Sequence, residues 1–454
     1  MANDSPPAAA ELEPISSRQL AGHIGHLTPE QDATLAEFKT RLASGGYFTP
    51  AEGNAAPSHD DVTLVRFLRA RKFDLDGAYA QFTAAEDWRK ENDVDALYDA
   101  FDLAEFNSAA RLYPQWTGRR DRSGLPVYVF KVSSLTKKAT DEYAKHPDRL
   151  NPRMIALYEH MVQFVLPLCS SIPHTHESVP ISGCATIVDI SNVSLMRFWQ
   201  LKAHMQRASA LASANYAETL GAIYLVGAPN FFSTVWGWVK SWFDPGTVEK
   251  IFILPSHSVL STLATHIDPA SIPQEFGGSL AWQYGDDARP NLDQDTKDML
   301  GLDEVPAGPV RWFGKERGCE LRGTGRDRAT EDEIERQLES RRSSRRNSPG
   351  GATPASASPA TTSRTPAESE PATPAPTSTS SPAVGATQGE VVAAPPPVGM
   401  AGLDLPVVAS ESAPDAPTDG VTVDGPTHDI SVAARENPAA PVKDLAATLE
   451  GTTL

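Results

Sequence analysis

Four short apolar runs, set too far apart to be hairpin partners, restrict this chain more than any other feature of its sequence. They are Pro126-Val-Tyr-Val-Phe-Lys-Val, Cys184-Ala-Thr-Ile-Val-Asp-Ile, Ala222-Ile-Tyr-Leu-Val and Lys250-Ile-Phe-Ile-Leu. Between them lie segments with helical spacing. One starts at Asn151-Pro152 and carries Met154, Ile155, Tyr158, Met161, Val162 and Val165; a second covers residues 195–213. Strand-length runs alternating with helices predict an α/β layer with a mostly parallel sheet.

A helical lobe is expected before that layer. Thr28-Pro-Glu-Gln supplies a cap, a first-turn proline and an acid for a helix bearing Leu35, Phe38 and Leu42, stopped by Gly45-Gly46. Asp60 and Asp61 can cap the next helix, with Leu64, Phe67 and Leu68 on one face. A third runs from about Asp76, with Ala78, Phe82, Ala85 and Trp88 inward. Past Trp312 the core residues thin out, and residues 329–346 read as a charged, solvated helix with its acids first and bases last.

From Asn347 to Leu454 there is no Phe, Trp or Tyr, and 17 of the 38 prolines follow Gln337. Such a stretch buries too little apolar surface to offset its ordering entropy, so a disordered acidic tail is expected. The expected organisation is a flexible leader (1–27), a helical lobe (28–112), an α/β lobe (113–285), a C-terminal extension (286–346) and the tail (347–454). The tail holds 12 acids and 3 bases, about half of the formal charge of −18. No basic stripe remains elsewhere to suit nucleic acid. Six Ser-Pro or Thr-Pro steps, from Ser348 to Ser381, lie near the basic run Arg341-Arg-Ser-Ser-Arg-Arg. A phosphorylated segment and a passive spacer both fit them.

Enzyme signatures are missing: there is no P-loop, nucleophile elbow, metal-binding histidine pair or dinucleotide fingerprint in a fitting context. His174 and His176 lie in a Ser/Pro/His loop without a third ligand. Cys169, Cys184 and Cys319 are too scattered for a disulfide framework or a zinc site. Neither a signal peptide nor an apolar run of membrane-spanning length is seen. A non-enzymatic cytoplasmic protein without cofactor or metal is expected.

Seven segments in order resemble the CRAL-TRIO family, and within it the fungal phosphatidylinositol/phosphatidylcholine transfer proteins. They are Leu64-Val-Arg-Phe-Leu-Arg-Ala-Arg-Lys-Phe-Asp, Tyr113-Pro-Gln, Asp121-Arg-Ser-Gly-Leu-Pro-Val-Tyr, Thr186-Ile-Val-Asp, Tyr216-Ala-Glu-Thr-Leu-Gly, Phe243-Asp-Pro-Gly-Thr-Val-Glu-Lys-Ile-Phe-Ile-Leu and Ile272-Pro-Gln-Glu-Phe-Gly-Gly. The resemblance implies a helical lobe beside an α/β lobe whose sheet floors an apolar lipid cavity gated by a mobile helix. It carries the phosphatidylinositol-headgroup residues onto Arg71, Glu218, Thr247 and Lys250. Two cations, a hydroxyl and an acceptor for inositol hydroxyls are what a desolvated phosphoinositol needs.

The family's second-lipid site maps less completely, onto Tyr128, Cys184, Thr186 and Thr117, with Trp116 adjacent. Cys184 stands where family members that bind phosphatidylcholine carry a serine, and a thiol is a poorer phosphate donor. Thr117 replaces a tyrosine whose ring face could hold a choline cation. The second ligand is thus open between phosphatidylcholine, another lipid and a sterol-like hydrophobe.

Phe231, Phe232, Val235, Trp236, Val239, Trp242 and Phe243, with Trp238, form an apolar stretch in which Lys240 is the only charge before Asp244. A buried core helix explains this spacing; a gate that swings out at a membrane explains it with the clustered tryptophans, which settle at the headgroup level. The expected function is exchange of phosphatidylinositol with a second lipid by a monomer that is peripheral on intracellular membranes, Golgi or endosomal. The rival is a regulatory protein recruited by lipid and acting through its tail.

Overall fold

The computed structural model describes residues 20–53, 55–232, 236–237, 240, 245–285 and 289–347. Residues 20–27 form hydrogen-bonded turns, and Ile24 and Leu27 pack on the helical lobe, so this stretch of the leader is packed rather than free.

The helical lobe opens with α1 (Pro29–Ser44). Thr28 and Gln31 form a reciprocal capping box at its start. Asp60 caps α2 (Asp61–Ala70) and Asp74 caps α3 (Leu75–Glu91). Their apolar faces meet around Phe82, whose ring stands edge-on to Phe38 at 5.8 Å and to Phe67 at 5.0 Å. Trp88, expected inward, is only half-buried. Two short helices follow, α4 (Val94–Asp99) and α5 (Leu103–Ala110).

The sheet has five strands in the order β1-β2-β3-β4-β5. These are β1 (Gln115–Arg120), β2 (Pro126–Lys131), β3 (Cys184–Asp189), β4 (Leu220–Val226) and β5 (Ile251–Ile253). β1 runs antiparallel to β2 and every other pair is parallel. The parallel part is the α/β layer expected from the alternation. β1 is an addition to it. Its sequence is polar and its register is broken between Trp116 and Arg120. Gly118, at φ +85°, sits where a Cβ would come within 2.6 Å of the Asn291 backbone.

Between the strands run α6 (Lys137–Ala144), α7 (Leu150–His160), α8 (Leu166–Ser171), α9 (Leu195–Asn215) and α10 (Pro245–Glu249), and α11 (Val259–His266) follows β5. A π-helical turn at Met161–Val165 joins α7 to α8. Pro167 has no N–H for the Gln163 carbonyl, and the widened turn absorbs that break. One sheet face buries Val127, Val129, Ala185, Ile187, Tyr224 and Val226 against Leu263, Ile267, Ile272 and Phe276. Gly277, at φ +91°, then turns the chain; a Cβ on Gly278 would lie 2.1 Å from the Ile272 carbonyl oxygen. The opposite face carries Trp116, Tyr128 and Cys184 against Met161, Phe164 and Val165.

The chain past Trp312 corrects one expectation. α12 (Gln294–Leu300) is followed by a β6 (Val310–Trp312) and β7 (Cys319–Leu321) ribbon enclosing α13 (Gly314–Arg317), and then by α14 (Arg328–Asn347). Cys319 and Leu338 are buried in the same cluster as Trp116 and Tyr128, and Ile334 packs against it. Arg342 donates to the Cys319 carbonyl at 3.2 Å. Positions 334, 338 and 342 make a narrow inward stripe on a helix otherwise made of charges. α14 is therefore docked, not solvated. The tail beyond Asn347 lies outside the described residues.

Candidate functional site

Three segments that end or begin elements bring charge together at one edge of the sheet. Glu218 lies between α9 and β4, at φ +56°. Lys250 lies between α10 and β5; its carbonyl accepts from Ile223 N–H at 2.8 Å and its N–H donates to the Thr247 carbonyl at 3.1 Å. Lys250 Nζ donates to Glu218 Oε2 at 3.1 Å and to the Leu220 carbonyl at 3.1 Å. The same Oε2 is 3.2 Å from an Arg69 guanidinium nitrogen. One carboxylate oxygen thus faces two cations, with all three side chains mostly buried. Thr247 is half-buried on α10, one turn before Lys250.

Of the four residues carried over by resemblance, Glu218, Thr247 and Lys250 are therefore neighbours. Arg71 is placed differently. It is the C-cap of α2, it is exposed, and its stem lies along Gly77. It has no ion pair among the described residues. Arg69, two residues earlier, is the cation that reaches Glu218. Burial lowers the Arg69 pKa from its usual value, and the Glu218 charge opposes that shift.

His23, in the turns before α1, stands with Nδ1 3.3 Å from an Arg69 guanidinium nitrogen. Burial first, then the charges of Arg69, Lys250 and His26, push its pKa down to about 3, so the ring is neutral at pH 7. The packed leader thereby closes one side of the cation cluster. Neither Arg69 nor His23 was picked out from sequence. The available signal was the Arg66-Phe-Leu-Arg-Ala-Arg run, in which three arginines compete for one role.

Of the residues that the resemblance assigns to a second lipid, Tyr128 and Thr186 lie in one row across the sheet. Trp116 is the register partner of Tyr128, Tyr128 of Thr186, and Thr186 of Ile223. Cys184 Sγ is 3.7 Å from Thr186 Oγ1, and both residues are buried. Burial pushes the Cys184 thiol up to about 11 and raises the Tyr128 phenol well above its usual range, so both are neutral. Thr117 is elsewhere in its commitments: its hydroxyl donates to the Val127 carbonyl at 2.9 Å and accepts from Arg119 N–H at 3.2 Å. The aromatic neighbour of Tyr128 is Trp116.

Within the gate stretch, Phe232 is buried with Phe198, Leu201 and Leu225, and its ring stacks on Trp236 at 6.2 Å. Phe231 and Trp236 are half-buried. Val235, Trp238, Val239, Trp242 and Phe243 lie outside the described residues. Among those described, no helix is long and apolar enough to cross a membrane. In the loop of the paired histidines, His174 places its two ring nitrogens 2.9 Å and 3.0 Å from the carbonyls of Ile172 and Val179, a backbone brace.

Behind the charge cluster lies a second one. Glu159 on α7 is fully buried; Arg89 Nη1 is 2.7 Å from its Oε1, and Tyr216 donates its hydroxyl to that oxygen at 2.7 Å. Tyr216 stacks on Tyr158 at 4.7 Å. This cluster joins α3 of the helical lobe to α7 and to the end of α9.

The CRAL/TRIO N-terminal domain profile matches residues 34–84 and the CRAL/TRIO domain profile residues 111–278. The chain is 35% identical to the SEC14 cytosolic factor of Kluyveromyces lactis over 262 residues, 58% of this chain and 82% of that protein. It is 34% identical to the phosphatidylinositol/phosphatidylcholine transfer protein SFH9 of Arabidopsis thaliana, over 49% of this chain and 38% of that one. The crystal structure of Sfh5 superposes with a TM-score of 0.40 at 18% identity, over 51% of this chain and 82% of that one, a likeness that adds nothing to the fold already described. With both domain profiles matched in order and a 35% identical relative aligned over 82% of its own length, this chain belongs to the CRAL/TRIO family.

Proposed function

We propose that this protein binds phosphatidylinositol and carries it between membranes in exchange for a second lipid, without a covalent step. Glu218, Thr247 and Lys250 hold the headgroup, with Arg71 contributing from the end of α2 and Arg69 supplying the inner cation. The observation that carries this reading is the sharing of one Glu218 oxygen by Lys250 and Arg69. Arg69 and Lys250 outnumber the single Glu218 carboxylate, which leaves positive charge for a phosphodiester. Glu218 is then an acceptor for inositol hydroxyls. The relationship to a phosphatidylinositol/phosphatidylcholine transfer protein points the same way.

The energetic need for such a carrier is plain. A phospholipid has about 30 chain methylenes, and each costs on the order of 0.8 kcal/mol to expose to water. The protein has to offer an apolar slot that makes exchange nearly neutral, together with a polar end for the headgroup. In this reading the protein is a cytoplasmic monomer that docks transiently on an intracellular membrane of Golgi or endosomal type. Residues 28–112 and 113–285 make the carrier, and residues 286–346 complete its packing.

The second ligand is read from Cys184 and Thr117. The Cys184 thiol is a weak donor, and the Thr117 hydroxyl is already spent on backbone. These favour a second lipid held through Tyr128, Trp116 and Thr186 by ring faces and one hydroxyl, with a sterol-like hydrophobe as the alternative to phosphatidylcholine. Mass spectrometry of lipids extracted from the purified full chain tests the whole reading. Phosphatidylinositol is expected in the wild type and strongly reduced in Lys250→Ala and Arg71→Ala. A protein filled only with non-phosphorylated lipid, unchanged in either variant, rejects it.

A further inference from the structure

α9 is 21 residues long, and its sequence, Leu-Met-Arg-Phe-Trp-Gln-Leu-Lys-Ala-His-Met-Gln-Arg-Ala-Ser-Ala-Leu-Ala-Ser-Ala-Asn, contains no acid in a chain of net charge −18. Its first two turns are two-faced. Phe198 and Leu201 are buried in the cluster that also holds Phe232 and, at its margin, Trp236. On the other side Leu195 is 41% exposed, Met196 73% and Trp199 42%. Three large apolar side chains at i, i+1 and i+4 are thus presented to solvent, beside the start of the gate stretch.

The surroundings favour anions. Lys202 places Nζ 5.3 Å from the centre of the Trp199 ring. Arg197 donates through Nε to the Leu135 carbonyl at 2.9 Å and through a second nitrogen to Thr140 Oγ1 at 3.2 Å, which fixes the start of α9 on α6. The acids of α6, Asp141 and Glu142, are each paired with a lysine, Lys137 at 2.6 Å and Lys145 at 2.5 Å. Lys138 adds a further base to the same helix.

From this we propose that the first two turns of α9 are a membrane-docking face, seated at the headgroup–acyl boundary of a bilayer containing anionic phospholipid. Apolar side chains with an indole among them, flanked by bases and free of acids, match that boundary in depth and in charge. Because the rest of the protein is acidic, the face also sets which side approaches a negative surface. The inference deepens the carrier reading and rests on it for purpose: Phe198 and Leu201 pack with Phe232, so docking brings the described start of that stretch, Phe231 and Phe232, toward the bilayer.

The test is vesicle co-sedimentation of the full chain with phosphatidylcholine vesicles containing or lacking phosphatidylserine. Binding to the anionic vesicles is expected to fall about tenfold or more in Met196→Glu/Trp199→Glu, as two large apolar side chains leave the interface. Met196→Leu/Trp199→Phe should retain it. Wild-type binding should also weaken as salt is raised. Lipid content is measured on the same preparations. Lost vesicle binding with phosphatidylinositol still bound supports the proposal. Lost vesicle binding in a chain whose wild type carries no phosphatidylinositol supports the docking face and rejects the carrier reading. Unchanged vesicle binding overturns the proposal, and so does a wild-type dimer that the Glu variant dissolves while still binding vesicles, since the face would then be covered by a second copy.

Discussion

Tyr98 and Val310, 212 residues apart, exchange two hydrogen bonds: the phenol donates to the Val310 carbonyl at 2.8 Å and accepts its N–H at 3.0 Å. The pair ties α4 of the helical lobe to β6 of the C-terminal extension, and both residues are fully buried. Tyr98→Phe removes the phenol and leaves the N–H and C=O of Val310 without that partner. The expected cost is about 1–3 kcal/mol, read as a lower urea midpoint with an unchanged slope. A midpoint equal to wild type would mean that the extension contributes no stability through this contact.

Glu159 is the carboxylate between Arg89 and Tyr216, and Gln163 of the π-helical turn also reaches it. Removing one member of a buried ion pair strands the other. Glu159→Ala should destabilise by about 3–5 kcal/mol, and Arg89→Met by a similar amount. The double variant should cost clearly less than the sum of the two. Additive losses in that cycle would show that the charges are not coupled.

Acid sensitivity follows from two histidines. Burial pushes His23 and His160 down to about 3, against about 6.5 in an unfolded chain. Between those values the unfolded state binds more protons, so this stability is full above pH 6.5 and is lost as pH falls toward 3. Asp121 opposes part of it, because burial pushes its carboxyl up to about 6, which favours the native state as pH drops through that window. Two histidines against one aspartate leave a net loss. The melting temperature should decline steadily below pH 6.5, and His160→Gln should flatten that decline whatever its effect at neutral pH. A profile level from pH 7 to pH 4 would contradict the assignment.

Glu218 holds a left-handed backbone that a residue with a Cβ adopts at a cost. Glu218→Ala and Glu218→Gly delete the same carboxylate, but only glycine relieves the backbone. The glycine variant should therefore be more stable than the alanine variant by about 1 kcal/mol. Equal stability, or the reverse order, would mean that the strain is absorbed by the neighbouring turn.

The parallel part of the fold was legible because its strands are short apolar runs set between helical spacings, and the helical lobe because Thr28, Asp60 and Asp74 stand where caps must. β1 was not legible, since Gln115–Arg120 is polar and bulged, and it pairs only because β2 offers an edge. The docking of α14 rests on Ile334, Leu338 and Arg342, a signal that the charges around them obscure. In the charge cluster, Glu218 and Lys250 were readable as members of one set through the family resemblance. Arg69 was not, because the Arg66-Phe-Leu-Arg-Ala-Arg run does not say where the helix stops. Arg71 caps α2, and Lys72 and Phe73 then turn at φ +53° and +62°, which carries the chain away while Arg69 stays on the helix.

Position 218 also has a bearing on descent. An ordinary side chain is kept there against the preference of its own backbone, so only a demand on its carboxylate can hold it. A lineage freed of that demand would be expected to drift toward glycine or asparagine, leaving Arg69 and Lys250 facing one another without a counter-charge. Pressure to shed one of those bases would follow. The residue found at 218 in any divergent copy of this gene is accordingly a short record of whether its product still needs a counter-charge for Arg69 and Lys250.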